Sequence, residues 1–307
     1  MRWRNREGSK NVEDRRGESG TQRRVRFPFP RGGGRNLPGG GIRIPTGRGG
    51  GIGIVGFLII LGLMFFLGVD PRVILGGGDG GPVSVNESPR PSTAEETELT
   101  RFVSVVLKTT EDFWSQQFQA SGRQYSEPTL VLFREATRSR CGAGVSEMGP
   151  FYCPLDRKVY IDLSFFEALK RRFNAPGDFA QAYVLAHEVG HHVQTLLGIT
   201  EQVMAARSRA GERDGNAIQV RMELQADCFA GLWANYAQRQ LQAVEPGDID
   251  EALNAAAAIG DDRLQKRSQG YVAPDAFTHG SSEQRVTWFR RGFESGSFEA
   301  CDTFGRG

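Results

Sequence analysis

Residues 187–191 read His187-Glu188-Val189-Gly190-His191, inside the run AYVLAHEVGHHVQTLLG. On an α-helix, residues four apart lie on one face, so the two imidazoles can reach one tetrahedral zinc ion. Glu188 stands beside them, placed to take a proton from a water that the metal polarises. Common residue types make HExxH arise by chance, but this chain holds only four histidines and three of them fall within 187–192. His192 points about 100° away from His191 around a helix, which makes it a packing or solvated residue rather than a ligand.

Two histidines leave a zinc ion underligated, because a catalytic site takes a third protein ligand and keeps one open position. The next long helical run, VRMELQADCFAGLWANY, offers Glu223 and Asp227 at i, i+4 spacing. Glu223 is assigned as third ligand and Asp227 as the acceptor that orients a histidine through its other ring nitrogen. The reverse assignment, with Asp227 on the metal, stays open at this point. So does the reading of both as ordinary surface carboxylates, which apolar Met222, Ala226, Phe229 and Ala230 around them disfavour.

The elements that must position these groups follow from periodicity. Ala182, Leu185, Val189, Val193 and Leu196 form an apolar helix face through the motif, with Asp178 available as a cap and Gly198 as a stop. Gly190 is a poor helix former whose use would be to let another backbone come close. Phe102, Val103, Val106, Leu107 and Phe113 predict an earlier amphipathic helix. Thr129–Phe133 and Lys158–Asp162 predict strands, and a helix follows from Ser164 to about Phe173. Further helices are expected over 216–240, 248–259 and 282–293. The domain is therefore read as α+β, mostly helical with a small sheet, over residues 96–307.

Ahead of it the composition changes. Residues 1–50 carry thirteen Lys/Arg against four Asp/Glu and are rich in Gly and Pro, which predicts a disordered basic arm. The whole chain nets +2, so the remainder is acidic and offers no basic face to nucleic acid. RNA binding by the arm alone is the weaker use of its charge. Residues 51–69, GIGIVGFLIILGLMFFLGV, are nineteen residues without a charge. As a helix they would span a hydrocarbon core of roughly 30 Å. Basic residues before this stretch and few after it predict a single-pass anchor in the cytoplasmic membrane, with the N-terminus cytoplasmic and the domain periplasmic or extracellular. Residues 70–95 have linker composition. An exported domain permits disulfides. Of the three pairings open to four cysteines, Cys141–Cys153 and Cys228–Cys301 are favoured over free buried thiols.

HEVGHHVQ, then ELQADCFAG, then FTHGSSEQR, together with NVEDRRG, GVDPR and CGAGVSEMGPFYCPLD, resemble the family of neutral zinc metallopeptidases with an N-terminal membrane anchor. HExxH followed by ExxxD resembles the gluzincin type of zincin fold in a compact version, since Glu223 arrives only about thirty residues after the motif. The resemblance implies zinc held by His187, His191 and Glu223, Glu188 as base and Asp227 supporting His187. It also implies that His279 donates a hydrogen bond to the oxyanion, against the plainer reading of a helix-entry residue that packs. Arg285 is expected in a buried ion pair. The function implied is a membrane-anchored zinc endopeptidase acting on a peptide or protein substrate. An extended peptide would add to the strand at Val159–Asp162, as zincin edge strands permit. The competing reading is a catalytically weak zinc-bound envelope protein that acts by binding partners.

Overall fold

The computed structural model describes residues 1–17 and 92–305. The first long helix, α1 (Ala94–Ala120), starts at a capping box in which Thr93 and Glu96 satisfy each other's backbone N–H groups. Its apolar face buries Phe102, Val103, Val106, Leu107, Phe113 and Trp114. Strand β2 (Thr129–Phe133) follows, then a hairpin of β3 (Ala136–Ser139) and β4 (Gly142–Val145), then β5 (Phe151–Cys153) and β6 (Lys158–Asp162); β2 and β6 alternate residues between two faces. Leu130, Leu132, Val159 and Ile161 join the main core against the helices, while Val131, Phe133 and Tyr160 line the opposite face. Period-two patterning thus buries both faces of a small sheet.

Helices α2 (Ser164–Arg171), α3 (Asp178–Leu196), α4 (Ile199–Arg209), α5 (Glu212–Arg239), α6 (Asp248–Ala258), α7 (Asp261–Gln269) and α8 (Ser282–Ser295) complete the domain. The mostly helical α+β class expected from the sequence holds. Asp178 differs from expectation. It begins α3 behind the cap residue Gly177 and makes no capping bond. Its carboxylate instead accepts from the Met1 ammonium at 2.9 Å, alongside Glu245 at 3.0 Å and Asp248 at 3.2 Å.

That contact belongs to a larger correction. Residues 1–17 were expected to be part of a disordered arm, yet they pack on the domain. A short strand β1 (Val12–Asp14) pairs parallel with β2, Val12 opposite Leu130. Trp3 is buried and meets Phe102 edge-on at 5.3 Å. The apolar anchors Met1, Trp3 and Val12 are too widely spaced to show in an averaged composition. The sheet order is therefore β1-β2-β6-β5, with only β5 antiparallel. The strand at Val159–Asp162, expected to receive a peptide, is β6 and has both edges paired. Among the described residues β5 is the edge on that side of the sheet.

The 51–69 stretch lies outside the described residues. Among those described, no helix is long and apolar enough to cross a membrane. Both favoured disulfides are present, Cys141–Cys153 and Cys228–Cys301.

Helices α5 and α8 meet backbone to backbone. A Cβ on Gly231 would lie 2.1 Å from the Phe289 carbonyl oxygen, and one on Gly292 would lie 2.1 Å from that of Cys228. Glycine inside a helix costs about 1 kcal/mol relative to alanine, so the close crossing must offset it. Because α5 carries Glu223 and α8 carries Arg285, the crossing also sets their separation. Gly292→Val is expected to lower stability by roughly 2–3 kcal/mol through overpacking. That is a fall of roughly 5–10 °C in a thermal melt.

Candidate metal centre

Helix α3 presents His187 and His191 one turn apart, as HExxH spacing requires. Gly190 lies between them against α5, where a Cβ would stand 3.1 Å from both Cα and O of Ala226. This near-contact of backbones brings Glu223 within reach of both rings. Its Oε2 lies 3.3 Å from His187 Nε2 and 3.4 Å from His191 Nε2. A tetrahedron with metal–nitrogen bonds near 2.05 Å has edges of about 3.3 Å, so each histidine nitrogen already stands at ligand spacing from the carboxylate oxygen. Two imidazoles and one carboxylate also make the donor chemistry suited to zinc. The residues present fit the ion.

Each donor is fixed from behind. The Asp227 carboxylate can only accept, so His187 Nδ1, 2.9 Å away, carries a proton and Nε2 is the nitrogen turned toward Glu223. His191 Nδ1 meets Gln194 Oε1 at 2.9 Å. The Gln194 amide donates to Met222 O at 2.7 Å and to Gln225 Oε1 at 3.0 Å, and Gln225 donates to Cys301 O at 3.0 Å. Gln219 donates to Glu223 Oε1 at 2.7 Å. Asp227 is itself saturated, accepting from Tyr183 Oη at 2.5 Å and from Arg285 Nε and Nη2, both at 2.9 Å. Arg285 is thus the buried ion-pair partner expected, 2% exposed.

The charges follow from these contacts. Burial pushes the Asp227 carboxyl up, but Arg285 and His187 hold it down at about 2. Burial draws the His187 imidazole down, and the Asp227 and Glu223 carboxylates outweigh it, raising it to about 9. His191 is raised as well, by Glu223 against burial. Glu223 is held well below the usual carboxylate range, the two histidines overcoming its burial. A cation would replace the protons on these nitrogens, so its uptake is coupled to proton release.

Glu188 lines the same cleft as His187, His191 and Glu223 and is 8% exposed. The cleft holds about 430 Å³. Phe165, Phe173, Val184, Ile259 and Leu264 give it an apolar wall, and Phe151 and Tyr152 bring strand β5 alongside. His279 also lines it but is not among the converging donors. Its ring is half-exposed, with Nδ1 3.3 Å from Asp261 Oδ1. Asp261 Oδ2 accepts the backbone N–H groups of Thr278, His279 and Gly280 at 2.7, 2.6 and 3.0 Å, fixing the loop that carries the ring. His192 is a packing residue. Nε2 donates to Ser126 O at 2.6 Å and Nδ1 accepts from Tyr152 Oη at 3.0 Å, and burial pushes its pKa down to about 4.

Sequence reading missed Tyr183, Gln194 and Gln219. Helical spacing held the signal, since they lie four before His187, three after His191 and four before Glu223. Asp261 gave no such signal, because its contact with His279 depends on the packing of α7 against the loop before α8.

A second group of acids, Asp178, Asp248 and Glu251, also stands close enough to hold an ion. The Met1 ammonium already occupies the space between the two aspartates.

Two helices joined by a two-histidine, one-glutamate donor set, with a free carboxylate in an apolar-walled cleft, are the parts of a zinc peptidase. Residues 1–304 match the family described as "Putative neutral zinc metallopeptidase", and the chain belongs to it. Among its relatives is YpfJ of Escherichia coli (strain K12), described as uncharacterized, 51% identical over 306 residues that cover 100% of this chain and 99% of that protein. Another is Rv2575 of Mycobacterium tuberculosis (strain ATCC 25618 / H37Rv), also described as uncharacterized, 44% identical over 190 residues that cover 59% of this chain and 63% of that one. No solved structure matches the chain.

Proposed function

We propose that the protein is a zinc-dependent endopeptidase of compact gluzincin type, with zinc held by His187, His191 and Glu223. The observation that carries this is the meeting of both histidine Nε2 atoms with one Glu223 oxygen, at 3.3 and 3.4 Å, beside Glu188 in one cleft. Bound there, zinc would supply Lewis acidity toward water and toward the scissile carbonyl.

The chain's own groups do the rest. Glu188 takes a proton from the attacking water and passes it to the leaving amine. His279, held by Asp261, donates a hydrogen bond to the oxyanion from the open side of the cleft. Asp227 and Gln194 keep the two imidazoles oriented with Nε2 inward. An extended peptide adds to the edge of β5 rather than to β6, since main-chain hydrogen bonding needs an unpaired strand. The wall of Phe165, Phe173, Val184, Ile259 and Leu264 favours a large apolar side chain next to the cleaved bond.

The test uses the full chain purified with zinc. One zinc per chain and cleavage of casein or a peptide library is expected, with preference for a large apolar residue beside the cut. Removing the metal with a chelator should abolish cleavage, and added zinc should restore it. A zinc-free protein sinks the metal assignment. A zinc-loaded protein that cleaves no member of a diverse peptide library sinks the enzyme and leaves a binding protein.

A further inference from the structure

We infer that residues 1–17 and residues 92–305 fold together and therefore lie on one face of any membrane the protein meets, which excludes a single crossing between them. The inference comes from packing at the N-terminal segment and is independent of the enzymatic reading.

The segment is joined to the domain along its whole length. Met1 reaches Asp178 at the start of α3, and Arg2 N donates to Ala243 O at 2.7 Å. Trp3 is 4% exposed against Phe102 of α1. Ser9 N donates to Ser104 O at 2.8 Å, and the Asn11 amide donates to Glu111 at 2.9 Å. Strand β1 then runs beside β2 through Asp14 opposite Leu132, and Arg15 N extends the ladder to Leu132 O at 2.8 Å. Lys158 of β6 reaches across to Glu13 at 2.6 Å. These are contacts to α1, α3, the sheet and the turn after α5, so the segment is a part of the fold and shares its compartment.

The chain departs and returns at one place. Arg134 donates through Nη1 to Arg16 O at 3.3 Å and through Nη2 to both carboxylate oxygens of Glu96 at 2.8 Å. Arg16 is the last turn before residue 18, and Glu96 belongs to the capping box that opens α1. One guanidinium therefore holds the two points between which residues 18–91 run.

A chain that crosses a bilayer once puts its two flanks in different compartments. Residues 51–69 are the one uncharged run of bilayer length in 18–91; the flanking sequences are broken by Arg, Asp, Gly and Pro and contain no second run to bring the chain back. A single crossing and the packed N-terminal segment are thus mutually exclusive in one molecule. The segment's many contacts select the packed arrangement.

The experiment inserts a site for a sequence-specific protease into the Gly-rich run at 32–34 of the full chain, and in a second variant at 76–78. Sealed right-side-out and inverted membrane vesicles are treated with the protease, and detergent-solubilised samples give the reference for complete cleavage. Cleavage of both variants in the same vesicle orientation is expected, with neither cut in the other. Cleavage of the two variants in opposite orientations overturns the inference and restores a single crossing. Release of the uncut protein into the soluble fraction, with both sites open, still upholds the shared compartment and shows only that no membrane is met.

Discussion

Glu188→Gln binds zinc as the wild type does and loses peptide cleavage by roughly 10²–10⁴-fold, the usual worth of a positioned general base. The amide is close in shape to the carboxylate, and Glu188 makes no part of the donor set that joins His187, His191 and Glu223. Zinc content and melting temperature should therefore stay within error of wild type while kcat/KM falls. Glu188 lies 8% exposed at the wall of the cleft that the donor set also lines. Equal cleavage by the two proteins removes Glu188 from the mechanism. Loss of zinc from the variant would instead make it a structural member of the site.

Asp227→Ala acts on a different quantity. The carboxylate is fully buried and answers three neighbours at once, the His187 ring, the Tyr183 hydroxyl and the Arg285 guanidinium. Removing it leaves a buried cation without its partner, which costs about 3–5 kcal/mol, or a fall near 10 °C in melting temperature at roughly 2–4 °C per kcal/mol. It also frees the His187 ring to turn, and zinc affinity should fall about 10–100-fold. The pair Asp227→Ala, Arg285→Met separates the two effects. Stability recovers because no buried charge is left unmatched, while zinc affinity stays low because His187 still lacks its acceptor. Recovery of both together would show that Asp227 serves the fold alone.

The same carboxylate gives the acid limit of the fold. Its ordinary pKa is 3.8 and its folded value about 2, so its contribution is complete above about pH 4 and is lost as pH falls through 2. Glu13, lowered from 4.5 to about 2 by Arg15 and Lys158, adds the same sign at the junction of the N-terminal segment with the sheet.

What the sequence disclosed and what it hid divide along physical lines. His187, His191, Glu223 and Asp227 were legible because each pair lies one turn apart on a single helix, where local periodicity alone fixes the shared face. Gly190 was legible for the same reason, and it does admit the α5 backbone. The two disulfides were favoured among three pairings because Cys141 and Cys153 share one loop, which leaves Cys228 with Cys301. The place of β6 inside the sheet was not legible, because β5, which pairs with its far edge, is a three-residue strand with little pattern of its own. The N-terminal segment was hidden more deeply. Its charge and glycine content match a solvated arm, and only its buried Met1 and Trp3 and the ladder at Val12–Asp14 distinguish it. Asp261 depended on which loop lands beside α7, a matter of tertiary packing that no local window contains.

The pairing of β1 with β2 has a consequence for how the protein is made. Val12 leaves the ribosome ahead of its partner Leu130, which follows more than a hundred residues later. The nascent chain must therefore hold its opening strand unpaired through the synthesis of the whole intervening stretch. Contacts this remote in sequence form slowly, because a long loop has to close before they repay its entropy. A strand made this early is thus placed late, and a product that stalls before Leu130 carries β1 without the strand it pairs with.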